Sequence, residues 1–204
     1  MKALIIVDVQ NDFLPGGSLE VKDGDKIIPV INTLSGKFDL VVATQDWHPA
    51  NHKSFASNNE GKEVFEKTKL NGMEQVMWPD HCVQESDGAQ LSSELDTKAI
   101  EVIFRKGMDP EIDSYSGFFD NGHKKSTGLA GFLKSKNIKQ VFVTGLAGDV
   151  CVYFTLKDAL KEGFETYLIE DGTQALDQEK FEKIKEELTE NGVKVINSYD
   201  ISAL

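Results

Sequence analysis

Six short apolar runs punctuate the chain: Ala3-Leu4-Ile5-Ile6-Val7, Phe38 to Thr44, Ile100 to Phe104, Val141 to Thr144, Thr166 to Ile169 and Val193 to Ile196. Their apolar, β-branched character predicts six strands, with Ala3 to Val7, Phe38 to Thr44 and Val141 to Thr144 reading as buried ones. Helical spacing fills several of the intervals. Ile27 to Leu34 carries Pro29 near its first turn, where proline is tolerated. Ser126 to Ser135, Val152 to Leu160 and the amphipathic stretch Gln178 to Glu190 follow, with Gly192 at the C-cap of the last. Leu91 to Leu95 predicts a further short helix. Strands alternating with helices give an α/β domain, a parallel sheet covered on both faces. From Pro49 to about Gly88 no period emerges. Loops this long are usually functional, and this one holds His52, Phe55, Trp78 and His81-Cys82.

Composition narrows the picture mainly by exclusion. At 204 residues the chain can bury a full core, and we read 1–204 as one domain. A formal net charge of −12 argues against nucleic acid, because phosphate binding needs a basic face. There is no apolar run of membrane-spanning length, and Met1-Lys2 leads straight into a strand rather than a signal peptide. Two cysteines make no disulfide framework, so a reducing cytoplasm is the expected compartment.

The chemistry gathers at the carboxyl ends of the strands, where open α/β sheets bind ligands. Asp8, Asp46, Lys106 and Cys151 each follow a different strand. The run Val141-Phe142-Val143-Thr144 breaks at Gly145 and Gly148. Asp149 then reads as a helix N-cap and places Cys151 in the first turn. A thiol there gains from the unpaired N–H groups, which favour its thiolate and can cradle an oxyanion. Cys151 is thus a candidate nucleophile, Asp8 a proton acceptor and Lys106 a charge that holds both. The bland alternatives are a buried filler cysteine and an Asp8–Lys106 ion pair.

Asp46 and His48 stand two apart on an extended segment and can face one side. With His81, and His52 as a fourth candidate, they offer a carboxylate and imidazoles suited to one divalent metal ion, zinc first, with manganese or iron as alternatives. Phe13, Trp78 and Tyr115 lie in the same loops and could flank a flat ring. A metallohydrolase with Cys151 as packing, or a non-catalytic binding protein, are the rival readings.

Taken together these segments resemble the nicotinamidases and pyrazinamidases of the isochorismatase-like cysteine hydrolases. The resemblance rests on Val7-Asp8-Val9-Gln10-Asn11-Asp12-Phe13, Thr44-Gln45-Asp46-Trp47-His48-Pro49, Trp78-Pro79-Asp80-His81-Cys82-Val83, Arg105-Lys106-Gly107, Asp113-Ser114-Tyr115-Ser116 and Gly145 to Val152. It implies a three-layer α/β/α fold with a six-stranded parallel sheet in order 3-2-1-4-5-6. It implies hydrolysis of nicotinamide to nicotinate and ammonia in NAD salvage, with pyrazinamide as a second substrate. It implies a catalytic triad of Asp8, Lys106 and Cys151, and metal ligation by Asp46, His48 and His81, with His52 open. Ala147 and Cys151 would supply the oxyanion hole, after a cis peptide before Ala147. The implied partner is the small-molecule substrate, and a homo-oligomer stays open. Gly148 departs from the threonine that many members carry.

Overall fold

The computed structural model describes residues 1–203. Its main sheet is built from β1 (Lys2–Val7), β2 (Leu40–Asp46), β5 (Ile100–Lys106), β6 (Gln140–Gly145), β7 (Glu165–Thr173) and β8 (Lys194–Ile196). Strands β3 (Lys67–Leu70) and β4 (Met73–Val76) form a separate antiparallel hairpin. The six-stranded sheet has the order β5-β2-β1-β6-β7-β8, parallel throughout. With the hairpin set aside, this is the expected order 3-2-1-4-5-6.

The apolar runs of β1, β2, β6 and β7 form the centre, whereas the edge strands β5 and β8 are only partly covered, with Ile103 exposed. Every residue of β2 is buried, as are residues 3–7 of β1. Helices α1 (Ile28–Leu34), α2 (Leu129–Ser135), α3 (Tyr153–Lys161) and α4 (Gln178–Glu190) cover the sheet. From β1 the chain steps one way to β2 and later the other way from β6 to β7. Right-handed crossovers therefore set α1 on one face and α3 and α4 on the other. In α4, Phe181, Ile184 and Leu188 face inward, Asp177 accepts a hydrogen bond from the Lys180 N–H (2.9 Å), and Gly192 adopts φ +100° beyond its end. No helix among the described residues is long and apolar enough to cross a membrane.

Four sequence expectations need correction. Leu91 to Leu95 is not a helix: Gln10 bridges to Leu91 in antiparallel fashion and the Ser92 N–H donates to Val9, so the segment is tied to the loop after β1. The supposedly patternless loop contains the β3–β4 hairpin, four polar or half-buried residues per strand that give no apolar alternation. Asp149 is no N-cap: Ala147 occupies that place, and residues Gly148–Val152 form a π-helical turn that leads into α3. Helix α2 is also shorter than predicted, since residues before Leu129 turn back and Phe119 bridges to Ser126.

Candidate active site

Four strands end at one place. β1 stops at Val7, and Asp8 turns the chain away with φ +47°, a left-handed conformation that Asp tolerates better than most residues. Its carboxylate is fully buried. Oδ1 accepts from the Thr44 hydroxyl at 2.6 Å, and Oδ2 lies 2.9 Å from Lys106 Nζ. Lys106, the last residue of β5, also donates to Asp46 Oδ1 (2.6 Å), to the Ser114 carbonyl (3.0 Å) and to Cys151 Sγ (3.5 Å). One buried ammonium thus joins two carboxylates and a thiol from four strand ends.

The cysteine turn is fixed by close approaches. At Gly145, φ is +117° and a Cβ would lie 2.1 Å from the Val7 carbonyl oxygen, so only glycine brings β6 this near β1. The peptide Leu146–Ala147 is cis, as expected. Asp149, instead of capping, accepts from the Leu176 N–H (2.9 Å) and meets Lys180 Nζ at 3.3 Å; Gly148 N–H donates to Gln174 (2.7 Å). These bonds clasp the turn to the segment before α4.

The electrostatics follow from burial competing with charge. Burial opposes ionisation of Asp46, but Lys106, His48 and His81 outweigh it and hold the carboxyl well below its usual range. Burial pushes Asp8 up, against the pull of Lys106 and with help from Asp46. Burial would discharge Lys106, yet Asp46 and Asp8 keep its pKa well above normal. For Cys151 burial wins: its thiol is pushed well up despite Lys106, with Asp8 and Asp46 adding to the shift. Burial thus outweighs the pull toward the thiolate expected from the helix start and Lys106.

Beyond Lys106 the second Asp46 oxygen faces two imidazoles, with Oδ2 3.6 Å from His48 Nε2 and 3.9 Å from His81 Nε2. His48 Nδ1 donates to the Gly107 carbonyl (2.9 Å) and His81 Nδ1 to that of Pro79 (2.8 Å), so Nε2 of each ring faces the carboxylate; burial opposes a charge on His48, but Asp46 outweighs it and raises the His48 pKa. Burial and the neighbouring His48 lower the His81 pKa to about 4, which keeps that ring neutral. Gly107 sits against the His48 ring, where a Cβ would come within 2.3 Å. Candidate ligand atoms of Asp46, His48 and His81 lie within 4.8 Å of one another. Three buried donors of this kind fit a divalent cation. His52 groups instead with His48 and Asp113. Its Nδ1 lies 2.7 Å from the Ser54 hydroxyl and 3.1 Å from the Ser54 nitrogen, and its buried Nε2 has no hydrogen-bond partner among the described residues.

Phe13, Trp78 and Tyr115 line the same narrow pocket as Cys151, Ala147, Asp46 and His48, together with Leu19, Val150 and Leu176. Trp78 Nε1 donates to the Tyr115 hydroxyl (3.3 Å). A wider cavity of about 720 Å³ opens beyond Trp78, Tyr115 and Val150, walled by the β3–β4 hairpin, Phe154 and Lys180. Every expected site residue therefore reaches this one region, with His52 at its edge. The sequence reading missed Thr44, Ser114 and Gln10. All three lie in the segments that carry the family resemblance, but nothing in the residue types assigned them a role.

A six-stranded parallel sheet with a cysteine turn at its carboxyl edge defines the class. The isochorismatase domain matches residues 2–200, and the chain belongs to that family. Its relatives include the nicotinamidase of Acinetobacter baylyi, 47% identical over 98% of this chain and 94% of that one. Among solved structures, the Acinetobacter baumanii nicotinamidase/pyrazinamidase superposes with a TM-score of 0.95 at 46% identity, covering 98% of this chain and 97% of that chain. The Pyrococcus horikoshii pyrazinamidase in complex with zinc gives 0.80 at 39% identity, over 96% and 98%.

Proposed function

We propose that this protein, as one hydrolase domain over 1–204, is a nicotinamidase that converts nicotinamide to nicotinate and ammonia, a step in NAD salvage, and also accepts pyrazinamide. The single observation that carries the reading is Lys106 Nζ, which contacts Asp8, Asp46 and Cys151 at once and so couples a nucleophile to a metal-binding cluster. The nicotinamidase and pyrazinamidase relatives support the substrate class.

Asp46, His48 and His81 would hold one divalent ion, zinc by preference, given the zinc complex of the Pyrococcus horikoshii relative. His52 braces His48 from the side. When bound, the metal would orient the pyridine nitrogen and leave the carboxamide to the protein's own groups. Phe13 and Trp78 would flank the ring, with Tyr115 closing the wall.

Cys151 Sγ passes its proton to Asp8 and attacks the amide carbon, forming the C–S bond. The N–H groups of Ala147 and Cys151 receive the oxyanion. As the C–N bond breaks, Asp8 gives the proton to the departing nitrogen, which leaves as ammonia. Asp8 then takes a proton from water, whose oxygen attacks the thioester. The C–S bond breaks, the proton on Asp8 returns to sulfur, and the acid leaves as nicotinate once its own proton passes to solvent. Lys106 remains charged throughout. Two free cysteines suit a reducing compartment, the cytoplasm.

Cys151→Ala tests this scheme by ammonia release and metal analysis together. The variant should lose turnover while keeping its metal. Residual turnover near that of the unmodified protein would instead make a metal-bound water the nucleophile.

A further inference from the structure

Gln10 is fully buried one turn beyond the end of β1, and the proposed chemistry gives it no task. Its position is nevertheless unusual. The β1–β2 ladder ends with Ile6 opposite Ala43, because Asp8 swings the chain away. Asp46, at the end of β2, is thus left facing the side from which the β1 backbone has departed. The Gln10 amide fills that gap. Its Oε1 accepts from the Asp46 N–H (2.8 Å) and its Nε2 donates to the Asp46 carbonyl (2.8 Å). A side-chain amide thereby adds one more rung to the sheet, with the geometry of a peptide group. The same Nε2 donates to the Ala89 carbonyl (2.8 Å), which anchors the clamp to the long loop that carries His81.

We propose that Gln10 is a positioning residue for the metal site: it fixes the backbone of Asp46 at both polar groups and so sets where the carboxylate points. The inference rests on the reading of Asp46, His48 and His81 as metal ligands. Asp46 has to serve Lys106 with one oxygen and the metal with the other, so a small backbone rotation misaligns both. Groups that orient ligands in this way are commonly worth ten- to a hundredfold in metal affinity.

The neighbouring Gln45 provides a matched control. It is also a buried glutamine, and its Nε2 donates to the same Ala89 carbonyl (2.9 Å), but its Oε1 accepts from Arg105 and not from Asp46. Gln10→Met and Gln45→Met each keep volume while deleting amide bonds. The full-length variants are titrated with Zn²⁺ against a chromogenic chelator, with melting temperature recorded alongside. Gln10→Met should weaken Zn²⁺ binding about tenfold or more, and Gln45→Met should stay within about twofold of the unmodified protein. Equal weakening in the two variants, or unchanged binding in a folded Gln10→Met, overturns the clamp. An unmodified protein that takes up no Zn²⁺ overturns the metal-site reading, and the clamp with it. Should Gln10→Met fail to fold, Gln10→Glu takes its place: it retains the acceptor for the Asp46 N–H and loses the donors, and unchanged Zn²⁺ affinity there refutes the proposal equally.

Discussion

Replacing Lys106 by methionine is the sharpest test of the charge arrangement. The side chain is completely buried, so its ammonium is not exchanged for water when it is lost. The variant strands Asp8, whose other side-chain hydrogen bond among the described residues is to the Thr44 hydroxyl, and removes the 2.6 Å partner of Asp46. Breaking a buried pair by deleting one member costs about 3–5 kcal/mol, chiefly as the penalty on the charge left behind. Domains have only about 5–15 kcal/mol in total. For a chain of this length each kcal/mol moves the melting temperature by about 2–4 °C, so the metal-free variant should melt roughly 6–20 °C lower. Calorimetry in excess chelator measures this without a contribution from bound metal. Adding Asp8→Asn removes the stranded charge, and the double variant should regain about 1 kcal/mol or more over the single one. Ammonia release should fall about a hundredfold or more in Lys106→Met, as expected for loss of a preorganised charge. A single variant melting within about 2 °C of the unmodified protein, or a double variant less stable than the single, would refute the account of Lys106 as the shared counter-ion.

Gly148→Ala places a Cβ 2.9 Å from two carbons of the buried Phe181 ring, an overpacking cost of about 1–3 kcal/mol that should lower kcat more than it raises KM. Adding Phe181→Leu should restore part of kcat, and a double variant no faster than Gly148→Ala would show that the turn is not positioned by that contact. At the surface, hydrogen bonds from Lys194, Tyr167 and Gln140 lower the Glu165 pKa to about 2. A depressed carboxyl adds stability above its unfolded pKa of about 4.3 and loses it as pH falls toward the folded value. Both members of the Glu165–Lys194 pair are substantially exposed, so solvent screening keeps the contribution small. The melting difference between Glu165→Gln and the unmodified protein should therefore be small at pH 7 and shrink below pH 4; a gap that stays constant down to pH 3 refutes it.

The central strands were legible because burial on both faces demands apolar runs, and Ala3 to Val7 can form little else. The amphipathic helix Gln178–Glu190 was legible for the same reason, with one buried stripe carrying the signal. The strand-end residues Asp8, Asp46, Lys106 and Cys151 stood out by contrast with the apolar runs they close. Asp149 misled because its carboxylate prefers the Leu176 N–H, a partner 27 residues away that no local cap rule can see. The β3–β4 hairpin was hidden because its strands are mostly polar or half-buried and show no apolar alternation. Gln10 was invisible for a deeper reason. Its partners are backbone groups, which every residue carries, so the residue types around it record nothing of the bond.

The state of the Cys151 thiol shows why Asp8 has to stand beside it. With an effective dielectric of about 20, Lys106 at 3.5 Å attracts a thiolate by about 5 kcal/mol. Candidate atoms of Asp8, Asp46 and Cys151 lie within 4.8 Å of one another, so each carboxylate repels that thiolate by at least about 3 kcal/mol. Two such repulsions exceed the attraction, and burial adds to the deficit. If the thiol proton moves to Asp8, however, only the Asp46 repulsion is left and the attraction to Lys106 prevails. A transfer from sulfur to Asp8 leaves the net charge of the cluster unchanged, whereas loss of the proton to solvent would add a third anion around one cation. The buried pocket thus holds Cys151 as a thiol at rest and permits the thiolate only in exchange for a neutral Asp8. That is the same proton the departing nitrogen then needs.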